Sequence, residues 1–114
     1  MDKQSQEWRE HVQRLNDQFR CKGIGNGALM VTAGVHAQGM IFARSAIEAV
    51  RVFASFTCDN DPHDEHDFGA LTIAGERLFF KIDYYDLAMV GHSPDAADPA
   101  QTHRVLTIML ANEY

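Results

Sequence analysis

The sequence predicts a single α+β domain over residues 1–114, with helices packed on a small, mainly antiparallel sheet in the order α-β-α-β-β-α. Three observations carry this. Apolar residues recur at helical spacing in three segments, they alternate with a period of two in three others, and Gly, Pro and Asp clusters separate them. A length of 114 residues suits one hydrophobic core. At 46 % hydrophobic and 23 % charged, the composition excludes a disordered tail, a collagen and a coiled coil.

Over residues 5–20, Trp8, Val12, Leu15 and Phe19 fall in one stripe of an amphipathic helix, with Arg20 and Lys22 where positive charge suits the C-terminal dipole. Gly23, Gly25 and Gly27 end it. Residues 28–36 alternate Leu29, Val31, Ala33 and Val35 against Met30, Thr32, Gly34 and His36, a strand pattern in which Gly34 marks a bulge. Ser45-Ala46-Ile47-Glu48 has the form of a capping box and predicts a second helix to about Phe56, with Ile47, Val50 and Ala54 facing a sheet. Residues 68–74 and 77–84 read as strands of a hairpin turning at Gly75, with Leu78, Phe80, Ile82 and Tyr84 on one face. Asp98-Pro99-Ala100-Gln101 combines a capping acid, proline at the first helical position and glutamine three residues on. It predicts a final, largely buried helix carrying Val105, Ile108, Met109 and Asn112.

Charge divides the chain. Residues 1–56 carry seven Lys/Arg and five Asp/Glu (+2), and residues 57–114 carry three and eleven (−8), summing to −6. Five of the nine residues from Asp59 to Asp67 are carboxylates, and Asp83, Asp86, Asp95 and Asp98 follow. Such a surface repels phosphate backbones, so direct nucleic-acid binding is disfavoured, while a basic partner surface or a cation is attracted. The plainer alternative is a solvated acidic face that keeps the protein soluble. No apolar run approaches the roughly 20 residues of a membrane helix, and the first residues, Met1 to Glu7, are polar with no signal-peptide core. A cytoplasmic protein is expected. Cys21 and Cys58 form no CxxC pair, so neither a disulfide framework nor a cysteine zinc site is indicated.

Two segments concentrate chemistry. Asp59-Asn60-Asp61-Pro62-His63-Asp64-Glu65-His66-Asp67 has the donor density of a divalent cation site, with Asp59, Asp61, His63 and His66 as candidate ligands. Asp83 joins them if the hairpin returns to this loop, and Glu65 is then the candidate general base. An EF-hand counted from Asp59 would need glycine at Asp64 and glutamate at Ala70, and HExxH spacing is absent. The competing reading is a turn-rich loop whose Asp and Asn side chains accept local backbone N–H groups. In Lys81-Ile82-Asp83-Tyr84-Tyr85-Asp86, a tyrosine beside a carboxylate is either an acid/base or ligand-gripping pair or a core-edge tyrosine satisfying its hydroxyl. Gly23-Ile24-Gly25-Asn26-Gly27 precedes a strand instead of opening a helix, which excludes a phosphate loop. His92-Ser93 shows no triad, Cys58 sits in an acidic setting that opposes thiolate chemistry, and His11, His36 and His103 read as ordinary histidines.

The segments Leu15-Asn16-Asp17-Gln18-Phe19-Arg20, Asn60-Asp61-Pro62-His63, Glu65-His66-Asp67-Phe68-Gly69, Lys81 to Asp86 and Arg104 to Ala111 together resemble a bacterial domain-of-unknown-function family, number 3768. The resemblance runs from about Leu15 to Tyr114. It departs from the family's pattern at Asp64, Phe80 and Ala96, where glycine, tryptophan and proline are usual. It brings no reaction or ligand. It implies a setting among accessory-genome cargo of bacteria, where plasmids and phages carry inhibitors of host defence.

The function expected first is therefore a small, acidic, non-enzymatic protein that engages a basic protein surface through Asp59, Asp61, Asp64, Glu65, Asp67, Asp83, Tyr85 and Asp86. One concrete form is an anti-CRISPR or anti-restriction inhibitor occupying the Lys/Arg groove of a nucleoprotein defence complex, with no cofactor. The alternative is a metal-dependent hydrolase built on the Asp/His loop. A homodimer through Phe79 and Tyr85 is the third possibility.

Overall fold

The computed structural model describes residues 3–114, with side chains from Ser5 onward, so Met1 and Asp2 of the polar N-terminal segment lie outside it. Its elements are α1 (Lys3–Lys22), β1 (Gly27–Val31), α2 (Ala33–Ala37), α3 (Met40–Arg51), β2 (Phe68–Ile73), β3 (Glu76–Tyr85), β4 (His103–Leu110) and a 3-10 turn at Ala111–Glu113. The strands form one mixed sheet in the order β1-β4-β3-β2, in which only β1 and β4 run parallel. The fold is α+β as expected. Among the described residues no helix is long and apolar enough to cross a membrane.

In α1 the period was legible, but the buried line is not wholly apolar. Val12, Asn16 and Arg20, spaced by four, are buried, while Trp8 stays 39 % exposed. β1 ends at Val31, and the expected continuation to His36 is instead the short helix α2. Gly34 is therefore helical and not a bulge. Its missing side chain admits the Glu113 carboxylate, which accepts hydrogen bonds from Gly34 N (3.0 Å), Thr32 Oγ1 (2.7 Å) and Leu110 N (2.9 Å).

The helix expected from Ser45 starts earlier, at Met40, after Gly39 at φ +105° breaks the preceding turn. Ser45 sits exposed inside α3, so the capping box does not form. α3 also stops short of Phe56. Arg20 reaches its C-terminal end and donates through Nη1 to the carbonyls of Val50 and Phe53, both at 2.8 Å, satisfying groups that a helix end leaves free. Phe53 and Phe56 then pack edge-on against each other and against Phe80, with Phe53 ring centroids at 4.9 and 5.1 Å.

The β2–β3 hairpin is as expected. Ala74 and Gly75 both take positive φ, +51° and +82°, the requirement of a two-residue primed turn. Leu78, Phe80, Ile82 and Tyr84 are buried in the core. Phe79, on the other face, lies against Tyr114 and Phe68 with centroids at 5.6 and 5.2 Å. The apolar surface proposed for a homodimer is thus partly covered from within the chain.

The final helix is a correction: residues 103–110 form β4, a central strand paired with β1 on one side and β3 on the other. Its Arg104, Leu106, Ile108 and Leu110 are buried in alternation, and Met109 is buried on the other face. Burial of neighbours on both faces mimics helical spacing, whereas Val105, Thr107 and Ile108 are β-branched and favour the extended chain. The capping signal at Asp98 is realised as a turn. Asp98 Oδ1 accepts Ala100 N (2.9 Å), its Oδ2 accepts Gln101 Nε2 (2.7 Å), and Gln101 N closes on the Asp98 carbonyl (3.1 Å).

Candidate functional site

The acidic loop is fastened by one of its own carboxylates. Asp61 is 5 % exposed; its Oδ1 accepts Glu65 N (3.0 Å), and both its oxygens lie 3.2 Å from His66 N. Asp64 and His66, on either side of Glu65, take positive φ of 56° and 57°. The reading of this loop as one organised by local side-chain-to-backbone bonds therefore holds for Asp61.

With the loop so held, Glu65 meets the end of β3. Tyr84 donates its hydroxyl to Glu65 Oε1 (2.8 Å), and Asn16 of α1 donates through Nδ2 to the Tyr84 oxygen (2.7 Å) and to the Glu65 carbonyl (2.9 Å). Arg104 of β4 donates Nε–H to Asn16 Oδ1 (2.7 Å) and Nη2–H to the Ala96 carbonyl (2.6 Å). Because arginine only donates, it fixes the orientation of the Asn16 amide, leaving the NH2 to face tyrosine and glutamate. A buried cation is thus connected through Asn16 and Tyr84 to a carboxylate. Burial lowers the Arg104 pKa, while burial first and the Glu65 charge second raise that of Tyr84, so the phenol stays protonated.

Above this network lies a cleft of about 410 Å³ lined by Trp8, His63, Glu65, Asp67, Tyr84 and Asp95, among others. A neighbouring depression of about 400 Å³ shares Asp67, Tyr84 and His92 with it and adds Asp83 and Tyr85. No lysine or arginine lines either one. Trp8 donates its indole N–H to Asp95 Oδ1 at 2.8 Å and holds that carboxyl below its usual pKa. Asp67 moves the other way: burial first, then the Glu65 charge, raise it from 3.8 to about 6.

That shift has a definite sign. The folded state holds the Asp67 proton more tightly than the unfolded chain, so its contribution is complete below about pH 4 and is lost as pH rises through about 6. Asp67→Asn is therefore expected to gain stability relative to the parent as pH rises from 4 to 8, read from urea midpoints. A difference independent of pH would contradict the assignment.

The structure sorts the residues expected to bind a partner. Glu65, Asp67, Asp83 and Tyr85 line the paired depressions. Asp83 is neutralised in part by Lys81 Nζ at 2.9 Å. Ile82 N bonds the Asp67 carbonyl at 2.8 Å, so the hairpin does return Asp83 to this loop. Asp86 closes the 86–91 turn, accepting Val90 N at 3.0 Å. Asp59 is exposed on a turn and lines neither depression, and Asp64 accepts from Gln13 Nε2 at 3.3 Å.

Of the candidate metal ligands Asp59, Asp61, His63 and His66, the fold brings Asp61 and His66 together with Asp64, their ligand atoms within 4.8 Å of one another. Asp59 and His63 do not join that group, and His63 faces the cleft. His66 stacks on Phe56 with centroids 3.9 Å apart, and its Nδ1 lies 2.9 Å from Asp17 Oδ1. Trp8, Asn16, Asp17 and Arg104 are site residues not anticipated, while Asp95 was counted only within the acidic surface and His92 was set aside. A signal existed for Asn16, a polar residue four positions after Val12 on the docking face of α1.

Residues 31–113 match the family described as protein of unknown function DUF3768. The chain belongs to this family. No curated protein and no solved structure matches the chain. The DUF3768 match starts within β1, so it includes Glu65, Asp67, Tyr84 and Arg104 but not Trp8, Asn16 and Asp17 of α1.

Proposed function

We propose that this protein is a small, acidic, non-enzymatic binding module that engages a basic protein surface by receiving a cationic side chain in the Glu65–Asp67 cleft. One observation carries the reading: three carboxylates, Glu65, Asp67 and Asp95, stand in a cleft with Trp8, Tyr84 and no lysine or arginine, and burial together with the Glu65 charge holds Asp67 toward its protonated form. A guanidinium would find oxygen acceptors and aromatic faces there, the usual surroundings of a bound cation. The Asn16–Tyr84 pair fixes Glu65 beforehand, which limits the ordering cost of binding. The two free cysteines, both exposed, suit action in the reducing cytoplasm. In the accessory-genome setting of the family, the partner is the Lys/Arg groove of a nucleoprotein defence complex, which makes the protein an inhibitor of anti-CRISPR or anti-restriction type. The test is binding of an arginine-rich peptide to the wild type and to the double variant Glu65→Gln, Asp67→Asn. The variant is expected to lose it; undiminished binding would refute the cleft.

A second reading, a metal-dependent hydrolase, is favoured by the Asp61, Asp64 and His66 grouping, in which the Asp17 carboxylate would orient the imidazole as carboxylates orient metal-bound histidines. A divalent ion there would supply Lewis-acid chemistry. It predicts about one equivalent of metal in protein purified without chelator, and a thermal shift with Mn²⁺ or Zn²⁺ that Asp64→Asn and His66→Gln abolish. Finding no bound metal together with no thermal shift would refute it.

A further inference from the structure

Sharing no lining residue with the acidic cleft, a cavity of about 210 Å³ lies between the C-terminal end of α1, α3, β1 and β4. Its apolar wall is Phe19, Leu29, Ile47, Val50, Leu106 and Ile108. Val50 and Ile108 are fully buried, but Leu29 is 41 % exposed, so the cavity opens to solvent beside it. An apolar cavity of about 150 Å³ accommodates benzene, so this one has room for a somewhat longer hydrocarbon body.

The polar part of the wall has one sign. Arg20 and Arg51 line the cavity, and no Asp or Glu does, in a chain whose formal charge is −6. Arg20 is 4 % exposed and is engaged by Asp17 and the α3 carbonyls, yet its Nε–H is buried without an acceptor. Arg51, in the last turn of α3, is exposed, and its guanidinium has no carboxylate partner among the described residues. A mostly apolar pocket with one or two placed charges is the ordinary form of a small-molecule site, the charge fixing which end of the ligand enters.

We propose that this cavity binds a small apolar carboxylic acid, its hydrocarbon chain among Phe19, Ile47 and Leu106 and its carboxylate on Arg51. The site is independent of the acidic cleft and excludes the cations that the cleft attracts. A ligand there would tie the C-terminal end of α1 to the last turn of α3, the two helix ends that Arg20 already joins.

The probe is octanoate, followed by amide chemical shifts of the full chain, with octylammonium as the charge-reversed control. Saturable shifts at residues 19–29 and 47–51, with octanoate at least 10-fold tighter than octylammonium, are expected. Arg51→Glu should remove that preference. Leu29→Trp, a change at an exposed position that fills the mouth, should abolish octanoate binding while leaving the unfolding midpoint nearly unchanged. No saturable shift at millimolar octanoate, equal binding of octylammonium, or unchanged binding in Leu29→Trp would each overturn the proposal.

Discussion

Replacing Asn16 by leucine is expected to cost about 3–5 kcal/mol of stability, a large part of the roughly 5–15 kcal/mol that holds a domain of this size. Leucine has the same number and branching of side-chain heavy atoms and is the larger of the two, so the cost is not a cavity. The amide accepts from Arg104 Nε and donates to Tyr84 and to the Glu65 carbonyl, and each of these partners is buried or half-buried. Removing it leaves a charged N–H, a phenol oxygen and a carbonyl without their bonds at once, and the charged group dominates. Urea unfolding measures this. A loss below about 1 kcal/mol would show that water replaces the amide and that the network does not organise the site.

The double variant Glu65→Gln, Asp67→Asn is expected to weaken binding of an arginine-rich peptide at least 30-fold at neutral pH, about 2 kcal/mol. The lower bound reflects two charged contacts in a cleft that is partly shielded from solvent. General attraction to an acidic protein is separated by Glu7→Gln, Glu48→Gln, which changes net charge by the same amount at two exposed helix positions outside the cleft. That control should weaken binding less than 3-fold, as expected for screened surface charges. Equal losses would mean that only net charge matters. Asp61 belongs in no such variant, because its carboxylate fastens the loop.

Much of the architecture was legible in the sequence because it rests on local periodicity. The stripe of α1, the hairpin at Ala74-Gly75 and the core face from Leu78 to Tyr84 are all of this kind. The errors share a cause. At Ser45 and Asp98 a short-range capping pattern was present, but tertiary context decided otherwise: Gly39 starts α3 earlier, and the 103–110 segment is drawn into the centre of the sheet between β1 and β3. Apolar Val105 and Met109 on the face opposite Leu106, Ile108 and Leu110 blur the alternation in the sequence, so β4 read as a helix. The acidic loop was legible as the place to look, and Glu65, Asp67 and Asp83 do gather there. Its wiring was not, because Asn16, Tyr84 and Arg104 are separated by 68 and 88 positions from their hydrogen-bond partners and meet only when α1 crosses the sheet.

The central claim is that the Glu65–Asp67 cleft receives a cation, and the most direct measurement is the affinity of an arginine-rich peptide as a function of pH. A cation can engage the Asp67 carboxylate only when it is ionised, and in the free protein that group titrates near 6. Affinity is therefore predicted to rise about 10-fold between pH 5 and pH 7.5, with the increase abolished by Asp67→Asn. A flat profile, or a rise that persists in Asp67→Asn, would contradict the account.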